Sequence, residues 1–140
     1  MCYRRGRCPT SPPAHRLLHR RCAGIRSVLF PNAFEGIAWT ILGQQISVTL
    51  TARLKNNIAA RYGPPVAGLR DPVRLFPRAD HLLAVSVEDL RELQLSQAKA
   101  TALLFVARHI ANGDWDEASL LHQPTAEAIA HLEGFRGIGR

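Results

Sequence analysis

The sequence predicts an all-α domain, and three observations carry that expectation. Apolar residues recur at helical spacing along most of the chain. Helix-opening side chains (Asn32, Ser47, Ser86, Ser96 and Thr125) stand immediately before those periodic runs. No stretch alternates apolar and polar residues with the period of two that a half-buried strand requires. At 140 residues the chain has the length of one domain, and 46% apolar residues are enough to build a core.

The first helix is predicted to start at Asn32, with Glu35 placed to complete a capping box. Its core face is Phe34, Ile37, Ala38, Ile41 and Leu42, and Gly43 weakens its end. Ser47 caps a second helix whose apolar residues are Val48, Leu50, Ala52, Leu54 and Ile58. Tyr62-Gly63-Pro64-Pro65 stops it. A loop runs to Phe76-Pro77, and a short helix is predicted from Asp80 to Val85. Ser86 with Asp89 opens another, carrying Leu90 and Leu93. Ser96 opens a longer one through Leu103, Leu104, Val106, Ala107 and Ile110, ended by Asn112-Gly113. Thr125 opens the last, which runs into the glycine turn at Gly137-Ile138-Gly139. About six short helices result, with no internal repeat.

Residues 1–23 differ in kind from residues 24–140. Residues 1–26 hold seven arginines (Arg4, Arg5, Arg7, Arg16, Arg20, Arg21, Arg26) and no acid. Residues 1–23 are expected to be a disordered basic leader. They have no apolar h-region, so they do not form a secretory signal, and Pro9, Pro12 and Pro13 oppose an amphipathic transit helix. Cys2, Cys8 and Cys22, even with His15 and His19, match no common zinc spacing, so no metal is expected. No run reaches the roughly 18 apolar residues of a membrane span. The net charge of +7 favours a polyanionic partner, nucleic acid first. A soluble basic protein without such a partner fits the charge equally well.

Two stretches invite a functional reading. In Ile41-Leu42-Gly43-Gln44-Gln45-Ile46-Ser47 two amides sit at a helix break. One of them could bridge backbone groups orphaned at the two helix ends. Alternatively, both could form a polar tip offered to a ligand that needs a donor and an acceptor. In Phe135-Arg136-Gly137-Ile138-Gly139 the glycines could expose successive N–H groups to an anion, or simply cap a helix.

Four segments in order, FEGIAWTILGQQIS (34–47), LFPRADHLL (75–83), LRELQLSQAKA (90–100) and LEGFRGIGR (132–140), together resemble one family. It is the DNA-3-methyladenine glycosylase II branch of the helix-hairpin-helix base-excision DNA glycosylases, and the likeness runs from about Gly24 to Arg140. The resemblance implies an enzyme that flips an alkylated base of 3-methyladenine type out of double-stranded DNA and hydrolyses its N-glycosidic bond. It places Gln45 as the wedge filling the gap left by the flipped nucleotide. It assigns a DNA phosphate to the hairpin amides of Gly137 and Gly139, with Arg140 beside them. A monovalent cation at the hairpin carbonyls is part of the same expectation. Gln44 and Lys99 are further candidate DNA contacts, and Trp39 reads as a core residue of the first helix.

The same resemblance implies no cofactor for the chemistry, a monomer, and a bacterial cytoplasmic, nucleoid-associated setting. In the family the hairpin leads into a helix opening Trp-Thr-Ala and then to a catalytic aspartate. Neither follows Arg140, and Asp114, Asp116 and Glu133 match no catalytic position. No catalytic residue is therefore assigned. A truncated family member, inactive by itself, is expected; a non-catalytic DNA-binding remnant or an unstable fragment is the alternative.

Overall fold

In the computed structural model, residues 29–68, 73–114, 119 and 122–134 are described. Among them the order is α1 (Ala33–Gly43), α2 (Val48–Tyr62), a 3-10 turn (Ala79–Leu82), α3 (Val87–Glu92), α4 (Gln97–Ala111) and α5 (Thr125–Glu133). Extended pairing among the described residues is limited to one isolated antiparallel bridge, Pro65 with Arg74. The all-α expectation therefore holds. The leader, residues 1–23, and the hairpin, residues 135–140, lie outside the described residues.

The helix starts follow their caps. Asn32 accepts from the Glu35 N–H at 2.9 Å, Ser47 from Leu50 at 3.3 Å and Ser96 from Lys99 at 3.4 Å. Ser86 and Asp89 form a full capping box. The box predicted at Asn32 is only half made. The Glu35 carboxylate turns away to the Lys55 ammonium at 2.5 Å, where an ion pair outweighs a second cap bond. The predicted Asp80–Val85 helix is instead the shorter 3-10 turn, and Asp80 pairs with Arg78. Thr125 does not cap α5 but is its first residue. The position before it is Pro124, whose carbonyl accepts from Glu127 and Ala128.

One core gathers the helices. α4 packs on α1, α3 and the 3-10 turn, and α2 packs on α1. All five residues predicted for the α1 face are buried, as are Leu103, Leu104, Val106 and Ala107 of α4. In α2 the buried stripe is Thr51, Leu54, Ile58 and Ala59. Val48 and Leu50, expected among the packed residues, are 72% and 37% exposed. Thr51 packs beside Gly43, the last residue of α1. The turn of α2 before Thr51 therefore projects past the helix that would cover it. Trp39, expected in the core, is half-buried. It stands in a satellite cluster with Phe30 (ring centroids 6.2 Å apart) and the Lys55 ammonium, 5.6 Å above its ring.

Candidate nucleic-acid interface

The break between α1 and α2 is a tight turn. Gln44 has φ −59° and ψ 127°, Gln45 has φ 59°, and the Ile46 N–H reaches the Gly43 carbonyl at 3.5 Å. These are the angles of a type II turn, whose third position favours glycine because it needs positive φ. A glutamine in that left-handed conformation costs about 1 kcal/mol. Its side chain is exposed. Gln44, half-buried, stands on the preceding extended residue.

The turn faces a second one. At the end of α3 the Leu95 N–H bonds the Leu90 carbonyl (3.3 Å) and the Gln94 N–H bonds that of Arg91 (2.9 Å). This is the Schellman pattern, with the apolar pair Leu90 and Leu95 buried beneath it. Its left-handed position, usually glycine, is Gln94 at φ 71°. Gln45 and Gln94 are the two non-glycine residues with positive φ among the described residues. They line the same cavity of about 290 Å³, together with Gln44, Ile46, Leu50, Leu54, Ser96 and Lys99. The lining combines aliphatic side chains with amides, a hydroxyl and a lysine, and no carboxylate belongs to it.

Lys99, in the first turn of α4, ties that helix to the end of α1. Its ammonium donates to the Leu42 carbonyl at 2.6 Å, across 57 residues of sequence. Leu42 belongs to the last turn of α1, whose carbonyls lack helical partners, and a cation there also suits the helix dipole. Burial pushes the Lys99 ammonium below the ordinary lysine range. Of the predicted site residues, Gln44, Gln45 and Lys99 thus come together on one cavity. Gly137, Gly139 and Arg140 lie outside the described residues, as do Cys2, Cys8 and Cys22. Among the described residues no group of three His, Cys, Asp or Glu side chains is gathered as a metal site. No helix among them is long and apolar enough to cross a membrane.

Gln94 was present in the sequence but carried no assigned role. The available signal was a short capped helix ending Leu93-Gln94-Leu95 with no glycine where a helix of that kind usually turns.

A helical domain with a rigid polar tip between two helix ends defines a class that sequence comparison then names. The family described as HhH-GPD superfamily base excision DNA repair protein matches residues 38–138. The chain belongs to that superfamily. It is 25% identical over 127 residues to a DNA-3-methyladenine glycosylase of Bacillus subtilis (strain 168), covering 91% of this chain and 42% of the relative. It is 30% identical over 119 residues to DNA-3-methyladenine glycosylase 2 of Escherichia coli (strain K12), covering 84% and 40%. Among solved structures, the 3-methyladenine DNA-glycosylase of Archaeoglobus fulgidus superposes with a TM-score of 0.71 at 32% identity, covering 89% of this chain and 42% of that one. The chain thus spans about two fifths of the length of these relatives.

Proposed function

We propose that this chain is the DNA-distorting part of a base-excision glycosylase acting on alkylated bases of 3-methyladenine type. The observation that carries the proposal is Gln45, an exposed side chain in a left-handed turn at the tip of two packed helices. A backbone strained at an exposed site points to a role outside packing. An amide projecting from a rigid corner suits a wedge, because it can fill a vacated base position and still hydrogen-bond the edges around it. Lys99 acts as a positioning residue that fixes the end of α1, and so the turn, against α4. Gln44 stands beside the wedge within reach of the same nucleic acid. The glycine pair Gly137 and Gly139, with Arg140, would hold a phosphate and anchor the duplex, and a monovalent cation suits the carbonyls of such a hairpin.

The cavity between the turns has no carboxylate, and this favours binding over hydrolysis as the task of these residues. The carboxylates of Glu35, Asp80 and Asp89 are engaged with Lys55, Arg78 and Ser86. The second reading, a non-catalytic DNA-binding protein, rests on the same feature.

Fluorescence anisotropy with two short duplexes, one intact and one carrying a tetrahydrofuran abasic analogue, tests the wedge. The chain is expected to prefer the abasic duplex, since its gap is already open, and to weaken steeply with added salt. The Gln45→Ala variant is expected to lose the preference while keeping the salt-dependent part. Equal affinity of the parent chain for both duplexes would remove the proposal.

A further inference from the structure

We infer that Gln94 is a second readout residue of the same tip, contacting the base left unpaired opposite the wedge. The inference rests on the wedge reading of Gln45 and extends it to a specificity that Gln45 alone does not supply.

Four observations carry it. Gln94 holds φ 71° at the one position of the Schellman turn where glycine is free of the penalty a side chain meets. The turn's hydrogen bonds are both backbone bonds, Leu95 to Leu90 and Gln94 to Arg91, so the turn forms without any contribution from the Gln94 side chain. That side chain is exposed. It lines the cavity that Gln45 also lines. Two amides on left-handed turns from separate elements therefore flank one concave surface.

The chemistry follows from what a wedge leaves behind. When one nucleotide leaves the stack and a side chain replaces it, the partner base keeps an unsatisfied Watson–Crick edge. That edge presents donors and acceptors in an order set by the base. A carboxamide offers one acceptor oxygen and two N–H donors on a flat head, which suits base-edge pairing. Gln45 is committed to the gap. Gln94, on the facing turn, is free to pair with the base across from it. Nearby Lys99 donates to Leu42 and lines the same cavity; its charge attracts phosphates but cannot distinguish bases.

The test is a binding series on the 140-residue chain. Four duplexes carry the tetrahydrofuran analogue opposite A, C, G or T in turn, and the intact duplex serves as reference. The parent chain is expected to rank the four with at least about a fivefold spread, the lower end of the discrimination a good side-chain to base pairing gives. Gln94→Gly is expected to flatten the ranking while melting at or above the parent temperature, so misfolding cannot mimic the loss. Gln94→Glu, which keeps the shape but loses the donors, is expected to reorder it. Overturning results are a parent chain without a ranking, or a Gln94→Gly variant that keeps it. If the parent instead fails to prefer any abasic duplex over the intact one, the wedge reading itself falls, and this inference with it.

Discussion

The two ends of α2 are built to opposite ends. At its C-terminus the chain is fitted for packing. A Cβ on Gly63 would lie 1.9 Å from the Leu75 carbonyl oxygen and 2.6 Å from that of Ala59. The Gly63 carbonyl accepts from Arg74 at 2.7 Å, which holds the following loop against the helix. About two turns back, Lys55 pairs with Glu35 and lies within 6 Å of the Phe30, Trp39 and Phe76 ring centroids. At the N-terminus the opposite choices are made. Val48 and Leu50 are exposed, and a glutamine occupies the one turn position where glycine would be more stable. One end uses glycine because nothing else fits; the other places a side chain where glycine would fit better. The contrast is what the proposed wedge at the second end predicts, because selection for stability alone would not produce it.

The sharpest way to break the comparison is at the packed end. Gly63→Ala pushes a methyl group into two backbone carbonyls that cannot rotate aside. It is expected to destabilise the fold by about 3 kcal/mol, read by urea denaturation. A loss under about 1 kcal/mol would mean the loop yields, and that the packed end is no tighter than the tip.

Next is the brace between α4 and the end of α1. Lys99→Met removes the donor to Leu42 and leaves a carbonyl at the α1 terminus with one partner fewer. The expected loss is about 1–2 kcal/mol, with weaker binding to the abasic duplex because the Gln45 turn loses its support. The pH dependence has a definite sign. Burial depresses the Lys99 value in the fold below its ordinary 10.5. The native state therefore releases that proton before the unfolded state does, and stability rises with pH from the folded value up to 10.5. Lys99→Met is expected to lack this rise; an identical alkaline profile in chemical denaturation would place Lys99 outside the buried brace.

The smallest effect is expected at α3. Ser86→Ala removes the hydroxyl half of the capping box, leaving the bond from the backbone N–H to Asp89, and should cost about 1 kcal/mol. Hydrogen bonds from the Ser86 backbone and hydroxyl hold the Asp89 carboxyl below the usual carboxylate range. That contribution is present above the ordinary carboxylate value and is lost as pH falls through the folded one. The backbone bond, the larger cause, survives in the variant, so its acid limb should flatten only in part in a melting series, and an unchanged limb would show that the Ser86 hydroxyl does not contribute to it.

Much of the helical scaffold was legible because its determinants are local. Ser47, Ser86 and Ser96 make the cap bonds that their spacing implies, and the α1 face is buried residue for residue. What was not legible depends on contacts far apart in sequence. Glu35 leaves its capping box for Lys55, twenty residues away. Val48 and Leu50 have apolar character and helical spacing, but α1 ends at Gly43 and cannot cover them. The role of Lys99 rests on a carbonyl of another helix. Of the candidate site, Gln44 and Gln45 were visible as amides at a helix break, and the resemblance to base-excision glycosylases gave Gln45 its proposed role as a wedge. The left-handed backbone that singles out Gln45 and Gln94 lacks its usual local signature, a glycine at the turn, and the helix ending at Leu93 was the one indirect signal for Gln94.

The most direct measurement is made on Gln45→Gly, followed by two readouts on one preparation. Glycine relieves the left-handed turn but loses some backbone entropy, so the net stability gain is expected to be about 0.5–1 kcal/mol, seen as a higher melting temperature. The preference for the abasic over the intact duplex is expected to disappear in the same sample. Opposite signs in stability and recognition are what a functional tip predicts. A variant that is less stable, or one that keeps the preference, would contradict the account and return Gln45 to an ordinary turn residue.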